Sequence, residues 1–194
     1  MVNITQKESK WWVAIDSHLE MLPEHYLTLC LVSRGLKRAG LISYDMNDSV
    51  KRSRAKRVVR ASLRDLGLYF DTLTTDNTVR VRFAKDLLSL SELVCAHQRD
   101  NHELMGKALG FPEAARTWYC RGGSYYKMRT YLHELECKGL SVPSWIAYCP
   151  FVVPPAEVLI EGECARVGRR YEDFAREFSP HLALVVREKF FGRT

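Results

Sequence analysis

The sequence predicts an α+β fold that is predominantly helical, with about seven helices and a small sheet of two or three strands. Apolar residues recur at helical spacing over most of the chain, while a few short segments are β-prone and one of them, 79–83, alternates as a strand does. The 194 residues are 46% hydrophobic and 27% charged, which excludes collagen, wholesale disorder and a disulfide knot. The length suits a single domain over 1–194, with a possible subdivision into a basic helical part with a hairpin (1–83) and a helical core (84–194).

In the first part of the chain the spacing predicts three helices. Two cover 11–21 and 24–39, and Gly40 is expected to end the second. A basic helix follows, with Asp48 or Ser49 as its N-terminal cap. These helices would precede the sheet.

The sheet is predicted from short β-prone segments. A hairpin is expected over 68–83, because its second half alternates apolar residues with Arg80 and Arg82. A further strand is possible over 145–153, between prolines. A long helix is expected over 86–108, ended by Gly110. The remaining helices are predicted over 112–119, 124–139, 155–178 and 180–190.

The net charge of +6 is concentrated in one segment. The chain has 29 Lys and Arg against 23 Asp and Glu, and residues 49–66 hold seven of the cations but only one acid, Asp65. Such a segment is typical of a surface that binds a polyanion. The cations expected to contact phosphates are Arg52, Lys56, Arg57, Arg60 and Arg64, four of them spaced four residues apart. The alternative is a solvated face, or arginines that pair with carboxylates elsewhere.

A second candidate segment combines cations with aromatic rings. Residues 116–131 read RTWYCRGGSYYKMRTY, with four cations, five aromatic residues and no acid. Cations that hold the backbone and rings that stack on bases are what single-stranded nucleic acid requires. The candidate residues are Arg116, Trp118, Arg121, Tyr125, Tyr126 and Lys127. The alternative is that these rings are half-buried core residues.

The predicted helix 86–108 carries two polar residues on its apolar stripe, His97 and Asn101. Burying unpartnered polar groups costs free energy, so they either bond to each other in the core or line a cleft. In a cleft, the imidazole could act as an acid or base beside a carboxylate. The catalytic candidates under this hypothesis are His97, Asp100, His102, Glu103 and Glu113.

The six cysteines indicate neither a disulfide framework nor a zinc site. No two form a Cys-x-x-Cys pair, and His97 and His102 lack the spacing of a zinc helix, so no metal or cofactor is expected. Cys30, Cys95 and Cys164 are expected in the core. The local candidates for a thiol nucleophile are Cys120 and Cys149, and nothing pairs either with a histidine.

The sequence has no apolar run of the roughly 18 residues that a membrane helix needs, and Met1 to Lys10 has no hydrophobic signal core. We therefore expect a soluble, cytoplasmic protein that does not bind membranes. The charge pattern gives no indication of the oligomeric state.

One stretch resembles a known family. Asp100, Gly106 and the run Leu109-Gly110-Phe111-Pro112-Glu113 match the D-x5-G-x2-LG[FY]PE signature of an uncharacterised prokaryotic, mainly archaeal, family of unknown function. That family often has a cysteine soon after the glutamate, where this chain has alanines, and Gly168 to Tyr171 is similar to its C-terminal helix. The resemblance implies no activity, but it places a shared site at this turn and the preceding helix. Ordinary helix punctuation would also explain the turn.

These observations favour a protein that binds nucleic acid, either RNA or single-stranded DNA, with RNA preferred. The alternative is a small enzyme acting on a phosphorylated or other anionic substrate, with the histidine and carboxylates of helix 86–108 in its cleft. A third hypothesis is an adaptor whose apolar stripe over 160–178 docks a partner helix.

Overall fold

The computed structural model of the chain describes residues 22–45, 49–74 and 78–192. The predicted α+β class is confirmed, because these residues form nine α-helices and one three-stranded antiparallel sheet. The chain divides into two compact units between Asn101 and His102. The helix predicted over 11–21 lies outside the described residues.

The first unit contains the whole sheet. Its elements are α1 (Pro23–Ser33), β1 (Ala39–Asp45), α2 (Ser49–Asp65), β2 (Tyr69–Thr74), β3 (Thr78–Ala84) and α3 (Leu87–Gln98). Strand β3 is central and pairs antiparallel with β1 on one side and β2 on the other. The predicted hairpin is therefore present as β2 and β3.

The third strand is β1, so the prediction of a helix over 24–39 is wrong beyond Ser33. Gly35 adopts a φ of 70°, and the N–H of Leu36 donates to the carbonyl of Leu31 at 2.9 Å. This is the turn that ends a helix at a left-handed glycine. Gly40, which we expected to end the helix, instead pairs with Phe83 inside the sheet, where the Phe83 ring occupies the space that a Cβ would need.

Helices pack on both faces of the sheet. On one face, α1 places His25 edge-on against Tyr44, and α2 places Lys56 against Thr74. On the other face, α3 contacts β3 through His97, and Nε of Arg38 donates to Ser89 at 3.2 Å. The sheet therefore separates α2 from the polar side of α3.

The second unit is entirely helical in the described residues. Its elements are α4 (His102–Ala108), α5 (Glu113–Cys120), α6 (Tyr125–Cys137), a 3-10 helix (Ser144–Tyr148), α7 (Pro155–Val158), α8 (Glu163–Phe178) and α9 (Pro180–Phe191). The prediction of a strand over 145–153 is wrong. Trp145 and its neighbours have no strand to pair with, and Trp145 packs against Gly168 of α8, where a Cβ would overlap its ring.

Two predicted long helices are each interrupted. The helix expected over 86–108 stops at Gln98, and Asp100 turns the chain with a φ of 50°, which aspartate tolerates better than most residues. His97 and Asn101 therefore do not share one helix face, and Asn101 is exposed. The helix expected over 155–178 is divided into α7 and α8. Ile160 is exposed between them, whereas the rest of its predicted stripe is buried or half-buried.

All six cysteines are free thiols in the described part of the chain. Cys30 and Cys164 are buried, as expected, whereas Cys95 is exposed, so its predicted place in the core is wrong. Cys120 and Cys137 are exposed, and Cys149 is half-buried. Over the described residues, no helix is both long and apolar enough to cross a membrane.

Candidate functional site

Helix α2 turns a cationic face to solvent, but its members differ from the predicted row. Arg54, Arg57 and Arg64 are exposed. Lys56 instead reaches the sheet, where its Nζ donates to Oγ1 of Thr74 at 3.3 Å. Arg60 is half-buried, and its Nε has no hydrogen-bond partner among the described residues. The helical position of Arg52 is described but its side chain is not.

The helix period explains this difference. Four residues advance slightly more than one turn, so a row at that spacing rotates by about 40° per step around the axis. Val59 and Leu63 are buried, and Lys56, Arg60 and Arg64 lie successively farther around the helix axis from these two residues. Arg54, which the sequence argument did not place on the contact face, could have been found by centring the exposed face opposite those two residues.

In the second unit, the aromatic and basic segment 116–131 contains some residues that pack inside the unit and others that are exposed. Arg116 forms an ion pair with Glu103, and its Nε donates to the carbonyl of Phe111 at 3.1 Å. Trp118 is half-buried and covers Gly123. Arg116 and Trp118 therefore hold the unit together, and the exposed members of the segment begin at Tyr119.

The exposed members meet the end of α9. Tyr126 is 79% exposed and Tyr125 is 53% exposed. The Tyr125 ring lies edge-on to Phe190, with ring centroids 6.2 Å apart, and the Arg129 guanidinium lies 4.9 Å from the centroid of the Phe190 ring. We call Tyr125, Tyr126, Lys127, Arg129 and Phe190 the tyrosine surface. Sequence reasoning missed Arg129 as a contact residue and Phe190 altogether, because only the fold brings α9 beside α6.

The loop before α6 is held by two hydrogen bonds. Oγ of Ser124 accepts from the N–H of Lys127 at 3.2 Å and caps α6. Nζ of Lys127 donates to the carbonyl of Gly122 at 2.7 Å. Arg121, between the two helices, is exposed. The tyrosines therefore begin a helix whose first turn is held in place.

His97 is half-buried between two arginines of β3. Its Nε2 lies 3.2 Å from Nη1 of Arg80, and its Nδ1 lies 3.3 Å from Nη1 of Arg82. Arg82 also donates to Asp71 on β2 and is buried. Burial, followed by the charges of Arg82 and Arg80, lowers the pKa of His97, and Asp100 acts in the opposite direction. These effects favour the neutral form of the ring.

The other acid–base candidates have separate partners. Asp100 is exposed in the turn after α3. In the second unit, the His102 ring lies edge-on to Tyr119, and Glu103 pairs with Arg116. Glu113 is exposed, and its backbone N–H donates to Glu163 at 3.0 Å. His97 and Asp100 belong to the first unit, and His102, Glu103 and Glu113 belong to the second.

Both thiol candidates have raised pKa values. Partial loss of hydration at this exposed thiol, followed by the nearby Glu103 carboxylate, raises the pKa of Cys120. Burial raises the pKa of Cys149 well above its ordinary value. Because the thiolate is the nucleophile, both environments suppress thiol reactivity.

The turn that resembles the family signature has a structural explanation. Gly106 is buried, and a Cβ on it would lie 2.8 Å from Cγ of Arg116. Gly110 adopts a φ of 72°, and the N–H of Phe111 donates to the carbonyl of Gly106 at 2.9 Å. Pro112 then precedes the first residue of α5. These residues allow Arg116 to cross α4 and reach Glu103.

Within the described ranges, no three His, Cys, Asp or Glu side chains form a group that could hold a metal ion. No protein-family model, curated protein or solved structure matches this chain.

Proposed function

We propose that this protein binds single-stranded nucleic acid, with RNA preferred, through one surface on each unit. The observation that carries the proposal is the pair of exposed tyrosines at the start of α6, with Lys127 in the same turn and Arg129 in the next. Large aromatic side chains are usually buried or half-buried with a hydrogen-bonded tip. A ring that is 79% exposed, as Tyr126 is, has a face free to stack on a base.

The tyrosine surface supplies both interactions that a single strand requires. The rings of Tyr125 and Tyr126 offer flat faces for unpaired bases. Arg129 and Lys127 supply positive charge for the phosphates, and Arg121 is exposed in the preceding turn. A duplex hides its base faces in the stack, so this arrangement favours single strands over duplexes.

On the first unit, the contribution comes from α2. Arg57 and Arg64 are exposed and form no ion pair with any residue that the structure describes, and Arg54 is exposed on the same side. Arginine suits phosphate because its guanidinium presents parallel N–H groups. This helix would add affinity that does not depend on base sequence. The free thiols of the chain fit the reducing cytoplasm that we propose for it.

The experiment is fluorescence-anisotropy binding of the full chain to a labelled single-stranded RNA and to a duplex DNA of equal length. Tyr126→Leu keeps an apolar side chain but removes the ring, so we expect RNA binding to weaken by about tenfold, as loss of one stacked base implies. Tyr126→Phe keeps the ring and should stay within about twofold of the wild type.

The matched control is Tyr69→Leu, which removes an exposed tyrosine from β2 in the other unit. It should leave RNA affinity unchanged. Equal binding by wild type and Tyr126→Leu would contradict the proposal, as would a preference for the duplex.

A further inference from the structure

The cluster around His97 contains more hydrogen-bond donors than acceptors. A neutral imidazole has one acceptor nitrogen and one N–H, whereas a guanidinium has donors only. Because a guanidinium nitrogen lies within 3.3 Å of each ring nitrogen, one of these contacts must bring two donors together. Nε of Arg82 is also buried without a hydrogen-bond partner among the described residues.

The acid groups nearby do not remove this excess. Asp71 accepts from Nη2 of Arg82 and leaves both contacts at the ring unchanged. Asp100 acts on His97 electrostatically and raises its pKa against the stronger effects of burial and the two arginines. The distinguishing feature of the site is therefore that the His97 ring and the two guanidinium groups have more N–H donors than acceptors. Leaving such donors without acceptors costs free energy.

We propose that Arg80, Arg82 and His97 form a binding site for a phosphoryl group carried by a small ligand, such as a nucleotide or a phosphorylated metabolite. Arg80 is exposed and His97 is half-buried, so an anion has access from the solvent side. An anion oxygen placed beside Nη1 of Arg80 and Nε2 of His97 would accept a hydrogen bond from each. The two donors that now face each other would then both have an acceptor.

A phosphoryl group suits this site better than a carboxylate. It presents three oxygens, to which the exposed Arg80 guanidinium and the His97 imidazole can donate from different directions, and the nearby charge of Arg82 adds to the attraction. The site lies on the face of the sheet opposite α2, since Thr74, which contacts α2, pairs with Val79 and not with Arg80 or Arg82. The inference therefore does not depend on the nucleic-acid proposal.

The test is an NMR titration of the histidine ring resonances of the full chain with inorganic phosphate, AMP and acetate at constant ionic strength. The His97 signals, assigned with His97→Gln, should shift saturably with phosphate and AMP and much less with acetate. The pKa of His97 should also rise in saturating phosphate, because the bound anion offsets Arg82 and Arg80.

Arg80→Gln removes an exposed member of the cluster and should weaken phosphate binding by at least about tenfold. Lys85→Gln removes one exposed positive charge from the same unit, immediately after β3, and should bind phosphate as the wild type does. Equal affinity of Arg80→Gln and wild type would overturn the assignment, as would a saturable response to acetate of equal strength.

A third titration, with RNA, distinguishes a nucleic-acid backbone from a small phosphorylated ligand. If RNA shifts the His97 signals while phosphate and AMP do not, the cluster contacts a nucleic-acid backbone and the small-ligand site is overturned. If Tyr126→Leu loses RNA binding but keeps the phosphate titration, the two sites are independent, as we propose. Loss of the phosphate titration in Tyr126→Leu would contradict that independence.

Discussion

At the scale of single residues, Lys37 stands out as a lysine buried within the first unit. It is buried, and its Nζ donates to the backbone carbonyl of Ala39 at 2.5 Å. Burial lowers the pKa of this amine from 10.5 to about 7, because the charged form loses its hydration. A lysine two residues before β1 therefore makes the stability of the first unit depend on pH.

The sign of this dependence follows from the two pKa values. Between about pH 7 and pH 10.5 the unfolded chain binds a proton at Lys37 that the folded chain does not bind, so the contribution of Lys37 to stability rises with pH across that window. Lys37→Met should be more stable than the wild type by about 1–3 kcal/mol at pH 7, and the difference should shrink towards pH 10.

Urea unfolding of the two proteins at several pH values checks this prediction. Lys85→Met, at an exposed site in the same unit, should show no comparable pH-dependent difference. A stability difference between Lys37→Met and wild type that stays constant from pH 7 to pH 10 would show that the amine keeps its ordinary pKa in the folded state.

At the scale of elements, the crossing of Arg116 over α4 depends on the absence of a side chain at Gly106. A Cβ at that position would lie 2.8 Å from Cγ of Arg116. Gly106→Ala should therefore destabilise the second unit by about 1–2 kcal/mol, despite the better helix propensity of alanine.

A double-mutant cycle measured by thermal unfolding isolates this contact. In an Arg116→Ala background the obstacle is gone, so Gly106→Ala should become neutral or stabilising by up to about 1 kcal/mol. The same destabilisation in both backgrounds would show that something other than Arg116 excludes a side chain at Gly106.

The elements also show how far local pattern determines this fold. The hairpin, the cap at Ser124 and the helices α5, α6 and α9 follow from turn residues and spacing within a few positions. Strand β1 does not, because its partner β3 lies about forty residues away along the chain and helical spacing continues into it. The break after α3 coincides with the polar run Arg99-Asp100-Asn101, which is a local signal for the end of a helix.

The candidate surfaces were predictable to a similar degree. Tyr125 and Tyr126 are exposed because they lie in the first turn of α6, before its buried residues Met128, Leu132 and Leu135. This exposure agrees with the role proposed for them. Arg129 and Phe190 meet only through the packing of α6 against α9, so no local pattern could pair them. The arginines at His97 alternate with apolar residues along β3, but alternation alone does not indicate that α3 covers their face of the sheet and buries Arg82.

At the scale of the whole molecule, the charge distribution makes a prediction about salt. All of the net charge comes from residues 49–66, so α2 should dominate the ionic-strength dependence of RNA binding. The double variant Arg57→Gln, Arg64→Gln should make the negative slope of log K against log salt shallower, by about 0.7 for each phosphate contact that is lost. Anisotropy titrations over a range of salt concentrations give this slope.

The matched control removes two exposed cations from the second unit, Lys107→Gln with Lys138→Gln. This variant has the same net charge as the α2 double variant but should keep the wild-type slope. Equal slopes for the two double variants would show that net charge alone, and not α2, determines the salt dependence.

Exposed cysteines in both units provide natural attachment points for fluorescent dyes. Cys95 is an exposed thiol of the first unit, while Cys120 and Cys137 are exposed thiols of the second. With Cys120 replaced by serine, a donor dye and an acceptor dye on Cys95 and Cys137 would report the separation of the two units by energy transfer, with and without bound RNA. Because Cys30 and Cys164 are buried, a folded sample would leave these two thiols unlabelled.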